Sequence, residues 1–269
     1  MSTDDAGSIG TTSQVLHHSS TYGIVDEDMK IAVCSGGQLR MTDDVLLLTD
    51  NLLKDAFPTA DFFYPVWKED YETRHVTDLL NGTVEVIEEY DIHYHPYDDN
   101  PDVNDTWDYQ KKIKHPNPDR HLHQTKQILN HNHMMRKHLQ DYDVIVRTRY
   151  DSLISPVQGF TKGIELALEG SVVAYQAGDP DQFLHYQKLH HGSESKMISD
   201  GGLIFHSPKI WDCDLVDRLH KEKKLLAAEF GWYQVLMENA KSYVRFIGGA
   251  HLTRCVIKKY RKQIEEMLI

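Results

Sequence analysis

Tyr142-Asp143-Val144-Ile145-Val146-Arg147-Thr148-Arg149-Tyr150-Asp151 decides how this chain reads. Val144, Ile145 and Val146 are consecutive and apolar, the mark of a strand buried on both faces, as in a parallel sheet. Arg147, Arg149 and Asp151 then fall at every second position. Side chains two apart on a strand share a face, so three charges gather at the carboxyl end of the strand. In open α/β sheets, ligands bind at those ends. The arginines suit an anion and the aspartate a divalent cation. A salt-bridge network closing the sheet edge uses the same three residues. Spacing alone leaves both open.

The flanking segments supply the rest of an α/β fold. Lys30 to Cys34 is an apolar run stopped by Ser35-Gly36-Gly37, a strand feeding a loop. Asp43 to Lys54 carries apolar residues at helical spacing, with Thr42 or Asp43 as its cap. Ala60 to Trp67 and Gly82 to Ile87 read as second and third strands. Strand, helix, strand in succession predicts a mostly parallel central sheet flanked by helices. Residues 93 to 120 form a long loop rich in proline, tyrosine and acids. His121 to Leu139 reads as a helix whose inner face is Leu122, Ile128, Leu129, Met135 and Leu139. Further strands are expected at 170–175, 200–206 and 243–247. Helices are expected from Ser207-Pro208, over 228–238 and over 253–268. Residues 1–28 are rich in Ser, Thr, Gly and Asp and read as a tail; residues 29–269 read as one domain.

Composition narrows the function. The chain has 269 residues, with 41 acids against 29 bases and a formal charge of −12. That balance argues against a nucleic-acid binder, which needs a cationic surface. The three cysteines, Cys34, Cys213 and Cys255, fit neither a disulfide framework nor a zinc cluster. No basic-then-apolar leader and no apolar run of roughly 18 residues is present. The expectation is a cytoplasmic protein without an integral membrane segment.

With these residues in hand, the chain resembles nucleotide-sugar glycosyltransferases of the GT-A fold, in particular the WavE-like group of lipopolysaccharide and capsule synthesis. Four segments carry the resemblance across residues 30 to 235. The Arg147-x-Arg149-x-Asp151 strand is similar to the one that replaces the Asp-x-Asp motif in that group, except that Tyr150 stands where proline is frequent. Gly37-Gln38-Leu39-Arg40 is similar to its Gly-Gln-x-Arg turn, with Ala60-Asp61-Phe62 and Trp67 following. Asp200 precedes an apolar strand that leads into Ser207-Pro208. Glu229 occupies an acidic position near the start of a helix.

The resemblance implies a role for each. Gly36, Gly37 and Gln38 would lie against the donor nucleotide and Arg40 against its diphosphate, although the glycine pair matches no named nucleotide motif. Asp61 would contact base or ribose, or cap a strand. Asp151 would hold Mn2+ or Mg2+ bridging the two phosphates, with phosphates and water supplying most ligands. Arg147 and Arg149 would assist or pair with acids. Asp200 would take the acceptor proton or contact the donor sugar, and Glu229 competes for the role of base. A late histidine often completes such a site, which points to His251.

The chain has 17 histidines. His121/His123 and His131/His133 invite a metal reading, but positions two apart on a helix do not share a face. A solvated role is expected for them. His185, His190 and His191 precede Asp200 in a loop placed to cover an acceptor. Trp67 and Trp211 are expected in the core, and Trp107 against an acceptor sugar. The implied activity is metal-assisted sugar transfer from a nucleotide-diphosphate sugar to a glycan or other hydroxyl acceptor. The alternatives are a metal-dependent phosphohydrolase or nucleotidyltransferase using the same acids, and a non-catalytic carbohydrate-binding module on a degenerate transferase fold.

Overall fold

A computed structural model describes residues 28–74, 76–88, 90, 92, 119–154, 160–176, 198, 201–226, 228–247 and 252–254. Its elements, in chain order, are β1 (Ile31–Gly36), α1 (Asp43–Ala56), β2 (Asp61–Trp67), α2 (Lys68–Arg74), β3 (Thr83–Ile87), α3 (Asp119–Met134), β4 (Val144–Arg149), β5 (Ser152–Ile154), α4 (Thr161–Leu168), β6 (Val172–Gln176), β7 (Leu203–His206), α5 (Cys213–Lys221), α6 (Ala228–Leu236), β8 (Tyr243–Ile247) and β9 (Leu252–Arg254). α3 runs on through a π turn at Met135–Leu139.

Seven strands form one sheet in the order β3-β2-β1-β4-β7-β6-β8. β1 pairs parallel with β2 and β4, β2 with β3, and β6 with β8. β7 runs antiparallel to both β4 and β6. The sheet is therefore mostly parallel with one reversed strand. β5 and β9 pair as a separate antiparallel ribbon.

The pleat divides the core in two. Ile31, Val33, Val144 and Val146 pack with Leu46 and Leu53 of α1 and Ile164 and Ala167 of α4 on one face. Ala32, Cys34 and Ile145 pack with Ile128 and Leu129 of α3, Val216 of α5 and Trp232 of α6 on the other. Helices on both faces explain why β1 and β4 each open with an unbroken apolar run. Each such side chain contributes roughly 1.5–3 kcal/mol when buried, and the accessibility of Val144, Ile145 and Val146 is zero.

The α/β expectation holds, and the helix expected at 121–139 is α3 with its π turn. Ile128, Leu129, Met135 and Leu139 are buried as expected. Two expectations need correction. Ser207-Pro208 opens only a 3-10 turn over Pro208–Ile210. The helix starts later because Asp212 caps it, accepting from the amides of Asp214 and Leu215 at 2.9 and 3.0 Å. Thr253 does not begin a helix: it lies in β9, paired with Leu153. The expected tail lies outside the described residues apart from Asp28, as does the chain beyond Arg254.

Gly231 lets α6 lie close to α3. A Cβ there would collide with the Leu226 carbonyl and with Cδ1 of Ile128. Gly231→Ala is therefore expected to destabilise the fold by about 1–3 kcal/mol through overpacking. Urea denaturation of the variant beside the parent chain measures this, and an unchanged midpoint refutes it.

Candidate functional site

The carboxyl end of β4 turns sharply at Tyr150–Asp151 into β5. Asp151 is buried, with 2% of its side chain exposed, and Arg149 is 8% exposed. The guanidinium of Arg149 grips the carboxylate as a fork: Nε donates to Oδ1 at 2.7 Å and Nη2 to Oδ2 at 3.0 Å. Two parallel charge-assisted bonds are the strong form of this contact. A second guanidinium arrives from another element: Nη2 of Arg40 donates to Oδ2 at 3.0 Å, and Arg40 is 47% exposed. The shared-face spacing thus does bring Arg149 and Asp151 together. Arg147, on the same face, turns to other partners. Its Nη2 donates to Oε1 of Gln127, and its guanidinium lies 4.6 Å from the centroid of the Trp232 ring.

Arg40 comes from the loop that leaves β1. Gly36 ends that strand beside Arg149. Gly37 follows with φ +114°, a conformation that favours glycine. The Arg40 amide donates back to the Gln38 carbonyl at 3.0 Å, tightening the turn. Gln38 is exposed. The reversed strand contributes as well. Because β7 runs against β4, its amino end meets the carboxyl end of β4, and Ser152 Oγ donates to the Gly201 carbonyl at 3.5 Å.

A cleft beside this cluster is lined by Gly36, Gly37, Pro65, Gln127, His131 and Arg147, among others. Its floor includes Cys34, whose thiol burial pushes up to about 12 against the opposing effect of Arg147. That thiol is inert as a nucleophile. His131 is 3% exposed and boxed edge-on by Trp211, Trp232 and His206. Its Nε2 lies 3.2 Å from Nε2 of His206, and Nδ1 of His206 lies 3.0 Å from the Ser207 carbonyl. The carbonyl only accepts, so His206 carries its proton on Nδ1 and accepts at Nε2 from His131. Both rings are neutral. Burial holds His131 well below its ordinary range, helped by His206 and Arg147. Burial lowers His206 to about 4, against the bond to Ser207.

The solvated role expected for His131 is thus corrected: it is a core residue, because His206 and two tryptophans give its ring a polar partner and an aromatic box. His133 faces the other way, with Nε2 3.3 Å from Glu85 Oε1. The structure does not bring Asp61 to the cluster. It begins β2 level with Ala32, at the amino end of the sheet, and accepts the Tyr142 hydroxyl at 2.7 Å. Asp200 and His251 lie outside the described residues, as do Trp107, His185, His190 and His191. Glu229 lies in α6, but its side chain is outside them too. Gln127 has no role in the sequence reading, and His131 enters it only as a solvated residue. Their signal is that with Asn130 they are polar at i, i+3 and i+4 around an apolar helix face.

The oxygens of Asp151 suit a hard cation such as Mn2+ or Mg2+. Arg40 is the solvent-open guanidinium, so it is the one that a ligand can draw away. Among the described residues no group of three or more His, Cys, Asp or Glu side chains is gathered for a metal. A cation on Asp151 would take further ligands from phosphate and water. Among the described residues no helix is long and apolar enough to cross a membrane.

No protein-family model matches the chain, and no curated protein matches it in sequence. Among solved structures it is similar to a putative glucose-1-phosphate thymidylyltransferase from Bacillus anthracis, with TM-score 0.48 and 10% identity over 89% of this chain and 95% of that one. It is similar to 4-diphosphocytidyl-2C-methyl-D-erythritol synthase from Anaerococcus prevotii, with TM-score 0.47 and 7% identity over 89% and 94%. It is also similar to core-mannan synthase A from Aspergillus fumigatus in its Mn/GDP form, with TM-score 0.42 and 10% identity over 85% and 74%. These scores are too low to carry chemistry from one protein to another, so the site stands on its own residues.

The histidine pair makes stability pH-dependent. Below the ordinary value of 6.5 the unfolded chain takes up a proton that folded His206 refuses until about pH 4. Stability therefore falls as pH drops through that window and levels off below it, by about 3 kcal/mol for His206 alone. Melting temperatures between pH 7 and pH 4 are expected to show this fall, with a smaller slope in His206→Gln. An equal slope in both proteins counts against it.

Proposed function

We propose that the chain transfers a sugar from a nucleotide-diphosphate sugar to a glycan or other hydroxyl acceptor. The observation that carries this reading is the cluster of Arg40, Arg149 and Asp151 at the adjoining carboxyl ends of β1 and β4, beside the Gly36–Gly37 turn. Parallel sheets bind ligands at this edge. The glycines leave room for the donor to approach the backbone, and Arg40, half exposed, reaches its diphosphate. With Arg40 on the phosphates, a lone pair of Asp151 Oδ2 would be open to Mn2+ or Mg2+, and Arg149 would keep the carboxylate in place. When bound, the cation offsets charge on the departing nucleoside diphosphate. His251 is a candidate second ligand.

Asp200 and Glu229 are the candidates for taking the acceptor proton. Gly201 supports Asp200: it bonds to Ser152, the residue after Asp151. In this reading residues 29–269 form one GT-A-like domain of the WavE-like kind, working in the cytoplasm.

Calorimetric titration with UDP-, GDP- and CMP-sugars, with and without Mn2+, tests the proposal. One donor is expected to bind in a Mn2+-dependent manner. Asp151→Asn is expected to weaken that binding at least about tenfold, given the strength of charged contacts. Circular dichroism verifies that the variant stays folded. If no donor binds, or if the variant binds as the parent does, the proposal fails. Release of pyrophosphate from a nucleoside triphosphate and a sugar phosphate identifies a nucleotidyltransferase instead. Donor binding without turnover identifies a non-catalytic module.

A further inference from the structure

We infer that Asp70 and Arg74, both on α2, are positioning residues for Arg40: they clamp the backbone beside it, so that its guanidinium works from a fixed base. This rests on Arg40 being the anion contact of the proposed site. Nothing in the sequence signals it, since the residues involved lie 31 and 35 positions apart from the loop they hold.

The clamp closes on one residue. The amide of Leu39 donates to Oδ2 of Asp70 at 3.2 Å. The carbonyl of Leu39 accepts from Nη1 of Arg74 at 3.1 Å. Nε of Arg74 also donates to Oδ1 of Asp43 at 3.1 Å, at the first turn of α1. One guanidinium thus spans the loop from Leu39 to the start of the next helix. The Leu39 side chain is buried in the core on the α1 face, as is that of Met41. Backbone and side chain are therefore fixed on both sides of Arg40, while its own long side chain reaches Asp151 and remains 47% exposed.

α2 lies on the crossover from β2 to the parallel strand β3 and buries little of its own. None of its residues is buried, and its apolar stake is the partly buried Tyr71. Asp70 and Arg74 turn to the loop and to α1, while Lys68, at the other end of the helix, pairs with Glu88 just after β3. A flexible arginine loses rotamer freedom when it grips a ligand. Fixing its backbone in advance leaves only the side chain to be ordered, which is how a supporting layer of contacts preorganises a binding group.

The experiment has two arms. In the ligand-free protein, NMR of the Arg40 guanidinium reports whether it is held. Asp151→Asn removes the charge of its partner and sets the signature of a released side chain. Asp70→Ala is expected to shift the Arg40 signals towards that signature. Asp70→Asn keeps an acceptor oxygen for the Leu39 amide and is expected to restore the parent spectrum. In the second arm, UDP and GDP are titrated with Mn2+ into the parent, Asp70→Ala, Arg40→Ala and the double variant. Asp70→Ala is expected to weaken binding roughly five- to tenfold when Arg40 is present and to have no further effect when it is absent, the sign of coupled residues. Unchanged Arg40 signals in Asp70→Ala, or an equal loss of affinity with and without Arg40, overturns the inference. If the parent binds neither nucleotide, the ligand-free arm alone decides the positioning role, and the donor titrations decide the proposed function.

Discussion

Asp151 stays in the protein interior because Arg149, two residues earlier at the end of β4, brings the counter-charge in with it. A lone carboxylate at 2% exposure would sit protonated or pull the turn open. The fork from Arg149 satisfies both oxygens at once. Buried ion pairs of this kind add little net stability over an apolar packing of the same volume, yet losing one partner is costly. The pair therefore fixes where the strand ends and which way its carboxylate faces. The exit from β1, the entry to β7 and the cleft against α3 are all arranged around that point.

What surrounds the pair is built from opposite kinds of contact. On the α3 side, Arg147 lies over Trp232 and bonds to Gln127, and behind it stand two neutral histidines. Those rings are desolvated and close-packed, and Nδ1 of His131 has no hydrogen-bond partner among the described residues. On the loop side, Arg40 meets solvent. The same strand thus has one guanidinium locked into the core, one locked onto a carboxylate, and a third, from the neighbouring loop, that is open to exchange.

The sequence was most informative where structure depends on near neighbours. The run Val144–Val146, the alternation from Arg147 to Asp151 and the spacing of Ile128, Leu129, Met135 and Leu139 are local patterns, and each led to the correct element. It was least informative where a residue's fate depends on a distant partner. Whether His131 is solvated or buried depends on His206, 75 residues away. The helix after Ser207-Pro208 began late because Asp212 is the better cap, a competition between two plausible starts. Asp61 fits the pattern of residues that carries the family resemblance, but its place at the amino end of β2 follows from register, which spacing does not encode. Asp70 and Arg74 look like ordinary surface charges until the loop from β1 is folded against them.

The single reversed strand has a consequence for how such a protein can change. β6 ends on the same side of the sheet as β4, and β7 begins there, with Gly201 beside Ser152. Both ends of the intervening chain, after Gln176 and before Gly201, are therefore anchored along one rim. The pairing of β4, β7 and β6 does not depend on the length of chain between those anchors, where the described residue is Ile198, buried in the core on the α3 face. The rim can change in this way while the framework beneath it keeps its register.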